Sequence, residues 1–288
     1  MKRLMLGTLC WMVSVAALAA GPYAVRKRVQ ASMLVTGSIV VAADGSVASY
    51  DLDKRGQLPA AVVGLIRQNV PSWRFVPVVR DGRPVLAKAA MSLRVVARPE
   101  GDGNYALTIG GSHFGQSASG IDSGGRTITS RQRKSPSYPV DAARARVSGT
   151  VYLVMRVNRQ GLVDEAAAEQ VNLDVVASDT EMRRWRKVLA DASLQAARRW
   201  TFNPPTVGRE AAQSAWVVRV PVTFALSEWG RSAPVEKYGS WHAYVPGPRE
   251  IPSWEDKPRV PASVDAVAAG SISEVGRGLQ LTTPLHGS

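Results

Sequence analysis

The chain has 288 residues, 45% of them hydrophobic, which excludes a disordered chain and leaves room for one large domain or two small ones. Its formal charge of +13, from 36 basic and 23 acidic side chains, points to acidic partners such as nucleic acid, anionic lipid or an envelope polymer. Cys10 is the only cysteine, so no disulfide framework can form within the chain.

The first residues read as an export signal. Lys2 and Arg3 precede an apolar stretch from Leu4 to Ala16, and Ala17-Leu18-Ala19 has the small residues of a cleavage site. Residues 1–19 are therefore expected to be a signal peptide, which places the protein in the periplasm. The alternative is an N-terminal anchor in the inner membrane: Leu4 to Ala20 reaches the short limit of a spanning helix, roughly 17 residues.

The next segment has the grammar of strands and turns. Val35, Gly37, Ile39 and Val41 alternate with their neighbours up to Asp44-Gly45, which predicts a strand entering a hairpin. A helix is predicted after Pro59, with Val62, Val63, Leu65 and Ile66 as its apolar stripe. Trp73-x-Phe75-x-Pro77, a second hairpin signal at Asp81-Gly82 and an alternating run from Val85 to Val95 follow. Residues 100–135 are rich in Gly and Ser, hold a short candidate strand at Tyr105 to Ile109, end in the basic run Arg131 to Lys134, and read as a flexible linker.

The same order then returns. Val151, Leu153, Met155 and Val157 alternate up to a turn at Gly161. A helix capped by Asp179 or Thr180 runs to a strongly basic end, followed by Trp200-x-Phe202-x-Pro204 and a last alternating strand from Trp216 to Phe224. Two copies of one module, at 30–99 and 136–227, are the simplest reading. The paired Trp and Phe share a face of a strand and are expected in the core. Residues 228–288 lack periodicity and read as an extended, largely disordered or draped tail.

The segment 136–227 resembles the TonB C-terminal domain family. Five elements carry the resemblance in order: Tyr138-Pro139, Gly149-Thr150-Val151, Gly161 with Val163, Trp200-x-Phe202-x-Pro204, and Val220-Pro221-Val222-x-Phe224. Residues 30–99 look like a degenerate copy without the Tyr-Pro opening. The resemblance implies an α+β fold: two small modules, each a short antiparallel sheet packed with a helix. It also implies a non-enzymatic periplasmic protein that captures extended peptides of envelope proteins, outer-membrane transporters among them, by strand addition. Tyr138 and Pro139 would shape the mouth of the site, and Val218, Val220, Pro221 and Val222 would offer the edge. Pro221 supports an edge position on its own, because proline cannot donate to a central ladder. Two alternatives stand beside this reading. One is an anchored energy transducer for transport across the outer membrane, although Ser14 has Leu18, not His, four residues on. The other is a self-associating envelope protein, since an edge that accepts a peptide also accepts a second copy, giving a homodimer.

No catalytic residue, metal ligand set or cofactor motif emerges. His113, His242 and His286 are scattered, and no nucleophile elbow or phosphate-binding loop is present. Arg183, Arg184, Arg186 and Lys187 cluster on one helix. In an exported chain they would meet an anionic lipid or peptidoglycan surface rather than nucleic acid.

Overall fold

The computed structural model describes residues 28–102, 104–115, 124–226, 237–255 and 264–285. The expected signal peptide, with Cys10 and the cluster at Arg26-Lys27, lies outside these residues, as do His286 and parts of the linker and the tail.

The elements in chain order are β1 (Gln30–Val41), β2 (Val47–Leu52), α1 (Ala60–Asn69), β3 (Val78–Arg80), β4 (Arg83–Val85), β5 (Ala87–Gly101), β6 (Asn104–Phe114) and β7 (Thr129–Gln132). They continue with α2 (Val140–Arg144), β8 (Gly149–Asn158), β9 (Val163–Leu173), α3 (Asp179–Ala197), β10 (Thr201–Asn203), β11 (Ala215–Phe224), β12 (His242–Tyr244) and β13 (Ser273–Glu274). The fold is α+β: among the described residues two larger antiparallel sheets each carry a packed helix, and β7-β10 and β3-β4 form two-stranded sheets.

The first sheet has the order β12-β1-β5-β6, with β2 beside β12 on the same flank of β1. Its core gathers Met33, Val35 and Ile39 from β1, Leu93 and Val95 from β5, Val62 and Ile66 from α1, and Trp73 and Phe75. The second sheet has the order β13-β11-β8-β9. Its core gathers Val151 to Val157 of β8, Val218 to Phe224 of β11, Met182 and Leu189 of α3, and Trp200 and Phe202. Both Trp-Phe pairs are core residues, as their two-residue spacing predicts.

α3 forms for reasons visible in its first turn. Ser178 is the N-cap and accepts from the Glu181 amide, while the Glu181 carboxylate accepts from the Ser178 amide at 3.1 Å. The expected cap at Asp179 or Thr180 is thus one or two residues late. A Ser with Glu three residues on satisfies two backbone donors at once, which neither alternative does.

One other expectation is corrected and one is narrowed. The linker segment carries two strands. β6 pairs with β5 from Met91↔Phe114 to Gly101↔Asn104, and β7 pairs with β10. Gly110 is the extra residue between the pairs Arg94↔Gly111 and Val95↔Ile109, where an added Cβ would meet Val96 Cγ2 at 2.7 Å. In its described parts the tail takes the draped alternative rather than the disordered one. β12 joins β1, Val245 bridges Leu173 of β9, and Arg94 of β5, only 7% exposed, donates to the Asp265 carbonyl at 2.7 Å. The tail binds by backbone pairing and isolated anchors, so it needs no apolar periodicity.

Candidate functional site

The two sheets treat one edge differently. In the first, the outer edge of β5 is occupied along ten residue pairs by β6. In the second, among the described residues, the outer edge of β11 carries only β13, through Val218↔Glu274 and Arg219↔Ser273.

The pairing stops for a reason written in β11. Val275 donates to the Val217 carbonyl at 2.8 Å, so the backbone polar groups of Val217 face away from β8. The pairing with β8 runs without a bulge from Ala215↔Asn158 to Phe224↔Gly149, so alternation turns Arg219, Pro221 and Thr223 the same way. At Pro221 the outward donor is missing. The tail leaves the edge there through a turn in which the Ser271 amide and hydroxyl donate to Ala268 and Gly270 adopts a φ of 75°.

Beyond that point the edge opens on a groove of about 420 Å³. Its walls include Tyr138, Trp200, Pro221, Val222 and Phe224 of the second module and the tail turn Ala269-Gly270. Tyr138 is fixed on both sides: its hydroxyl donates to the Val147 carbonyl at 2.6 Å and its ring meets Phe224 edge to face at 5.4 Å. Burial, then the Asp174 carboxylate, pushes its hydroxyl above the ordinary tyrosine value, so it stays a neutral donor. Trp200 donates its indole N–H to the Lys134 carbonyl at 2.8 Å, which locks the segment leading into the groove. Arg133 lies over the Trp200 ring and donates to the Gly270 carbonyl at 2.6 Å. It is the only charged side chain among the described residues lining the groove.

The residues singled out in sequence divide accordingly. Tyr138, Val220, Pro221 and Val222 converge on the groove. Val218 is paired with Glu274 of β13. Pro139 serves as the N-cap of α2 and does not line the groove. The lining roles of Arg133, Trp200 and Gly270 were missed. For Arg133 the basic run before Tyr138-Pro139 was the available signal; for Gly270 the sequence offered none.

The α3 cations also divide. Arg183 donates to Thr180, Arg184 lies 4.9 Å over the Trp185 ring, and Lys187 pairs with Asp191 at 2.7 Å. Arg186 instead turns inward and donates to the carbonyls of Val171 and Pro246, tying β9 to the tail. The exposed patch therefore consists of Arg183, Arg184 and Lys187.

Among the described residues no group of three acidic, His or Cys side chains could hold a metal, and no helix is long and apolar enough to cross a membrane. A broader depression of about 600 Å³ beside α1, lined by Arg55, Leu58, Val63 and Arg67, has no strand residue in its lining.

Residues 134–226 match the family model described as Gram-negative bacterial TonB protein C-terminal. That span is about a third of the chain and contains all the second module from Tyr138 to Phe224. Two relatives, both named Protein TonB, come from Xanthomonas campestris pv. campestris, strains B100 and ATCC 33913. Each is 36% identical over 100 residues, which is 35% of this chain and 39% of the relative. The match thus spans well under half the length of these relatives. No solved structure matches the chain at a significant level.

Proposed function

We propose that this is a non-enzymatic, envelope-facing binding protein of the TonB type, which captures extended peptides by strand addition at the open half of β11. One observation carries the reading: past Pro221 the β11 edge is unpaired among the described residues and borders a groove walled by Tyr138, Trp200 and Phe224. Such an edge offers backbone acceptors at Pro221 and Thr223 and a donor at Thr223, while the groove offers apolar and aromatic contacts for alternate side chains. The family match falls on this module, and the resemblance to that family implies outer-membrane transporters as the source of the peptide. In the first module, read as a second copy, β6 fills the corresponding edge, so that edge takes no peptide. Arg183, Arg184 and Lys187 face an anionic lipid or peptidoglycan surface. Export to the periplasm rests on the N-terminal sequence.

The test is a nuclear magnetic resonance titration of the full chain. The probes are N-terminal peptides of outer-membrane transporters from the same cell, each beside a scrambled control. Saturable shifts at the Thr223 and Ala225 amides and the Tyr138 ring, absent with the scrambled peptides, are expected. Shifts confined to β9 or α3, or no saturable shift, would remove the reading.

A further inference from the structure

Each Trp-Phe strand is held from two sides. On the inner side the Phe75 amide donates to Gly45 and the Phe202 amide to Gly161, both at 2.8 Å. On the outer side of Phe202 lies β7, with Phe202↔Ser130, Thr201↔Gln132 and the Trp200 indole bonded to Lys134. The outer side of Phe75 is filled from more than two hundred residues away. Phe75 bridges Leu281, Val76 donates to Gln280 at 2.9 Å, and Thr282 donates to Arg74 at 2.8 Å. The Trp73 indole donates to the Leu285 carbonyl at 3.1 Å.

The two straps share their anchor spacing, although β7 carries a register shift between Thr201 and Phe202. Lys134 lies four residues after Ser130, and Leu285 four after Leu281. Two residues before each, Ile128 is buried in the second core and Leu279 packs on the first. The difference is connectivity. β7 runs within a few residues into its own module, whereas residues 279–285 approach the first module from the β11 edge, through Gly276-Arg277-Gly278. Locally, the first module therefore presents a formed receptor strand, and the strap meets it as a separate segment. The strap contains no charged residue and places leucines at 279, 281 and 285. Its seat is the edge-to-face cluster of Trp73, Phe75 and Phe114, with ring centroids 5.6 and 4.9 Å apart.

We propose that the extended segment Arg74–Val76 is a second strand-acceptor site, distinct from the β11 groove. It takes extended, uncharged peptides with leucine at alternate positions. Residues 279–285 are its resident ligand, exchangeable for the same segment of a second copy. Backbone pairing on Arg74 and Val76 supplies the affinity, and the Leu279 and Leu281 seats supply the selectivity.

The experiment uses the full chain and a fluorescent peptide of sequence GLQLTTPL, residues 278–285. The L281D chain, whose own strap is displaced, is expected to bind the peptide saturably. The wild-type chain should bind it about a hundred-fold more weakly or less, because the tethered strap competes at high effective concentration. A peptide carrying the same Leu281→Asp change should bind neither. Failure of the L281D chain to bind while its β1 and β5 amides stay protected from exchange would overturn the proposal. Hydrogen exchange of the wild-type chain decides independently should L281D unfold. The Val76 and Thr282 amides are expected to exchange together, well before the Leu93 amide. Exchange of all three only with global unfolding would show the strap to be an integral core strand and end the proposal.

Discussion

The amide of Phe202 donates to the carbonyl of Gly161 at 2.8 Å, and Gly161 itself adopts a φ of 79°. A Cβ on Gly161 would collide with the Phe202 carbonyl, so the hairpin turn and the Trp-x-Phe strand are fitted against each other. Gly45 stands in the same relation to Phe75, with a φ of 85°. Gly161→Ala and Gly45→Ala are each expected to cost at least about 2 kcal/mol, the left-handed penalty plus a backbone displacement. Gly82→Ala is the control. Its φ is 76° but nothing lies within 4 Å of the added methyl, so about 1 kcal/mol is expected. Urea denaturation of the three variants checks the order.

Those turns were legible because they depend on local chemistry. Asp44-Gly45, Asp81-Gly82 and Gly161 announce positive φ, and the alternation of β1, β8 and β11 announces their buried faces. Half of the groove was legible for the same reason, since Tyr138 and Pro221 act through ring and backbone properties readable one residue at a time. The tail was not legible. Arg94 alternates as an outward residue of β5, and the tail covers it through contacts such as the Asp265 carbonyl, more than 150 residues away. Nothing near Ser273 or Leu281 in sequence states which edge will receive them, because backbone pairing is blind to side-chain identity. β6 was obscured by Gly110 and Gly111, residues that suit both a linker and a strand crowded by its neighbour.

The outer face of the second sheet is held by charge. Glu169, fully buried, accepts from Arg219 Nε at 2.5 Å and from Arg249 Nε at 2.8 Å, and Arg219 also reaches Glu255 of the tail. Glu169→Gln leaves two guanidinium groups short of a carboxylate in a desolvated site. A loss of about 3 kcal/mol is expected, in the range for breaking one partner of a buried pair. Thermal denaturation measures the loss. Amides from Gly247 to Glu250 should lose protection first, because Arg249 anchors this part of the tail directly on Glu169, whereas Glu255 keeps Arg219.

Docking of β13 should depend on pH through His113. This side chain of β6 sits 3.3 Å from the Ser273 hydroxyl, and burial, with Arg219 second, lowers its pKa below the ordinary 6.5. The folded state prefers the neutral ring, so the contribution is complete above 6.5 and is lost as pH falls through 6.5 towards the lowered value. Glu274 and Glu255 act in the opposite sense. Burial raises both, so their share of stability is complete below the ordinary carboxyl value of 4.5 and declines as pH rises through the interval above it. His113→Gln should therefore remove a drop in stability between pH 7.5 and 5.5 and leave the carboxylate component in place. Parallel melts of both proteins across that range provide the check; identical pH slopes would show that His113 carries none of the dependence.

Pro221 sets how far any strand can pair along β11. Its backbone faces outward, in line with Val217, whose carbonyl already serves Val275. Pro221→Val restores one outward N–H without changing the direction of the strand, and valine suits a pleated surface at least as well. The inner ladder to β8 gains nothing, since the added donor points away from it, and repacking at the buried position 221 should cost about 1 kcal/mol. The edge gains a continuous run of donors at Arg219, residue 221 and Thr223. Two consequences compete for that run: β13 can lengthen towards Ser271, or a second molecule can add its own β11. The turn at Gly270, held by Arg133, opposes the first. Self-association is therefore the expected result, read as a concentration-dependent sedimentation coefficient in the variant and a constant one in the wild type. A variant that stays monomeric, with new protection at the Ile272 and Ser271 amides, would show that the tail rather than a partner claims the extended edge.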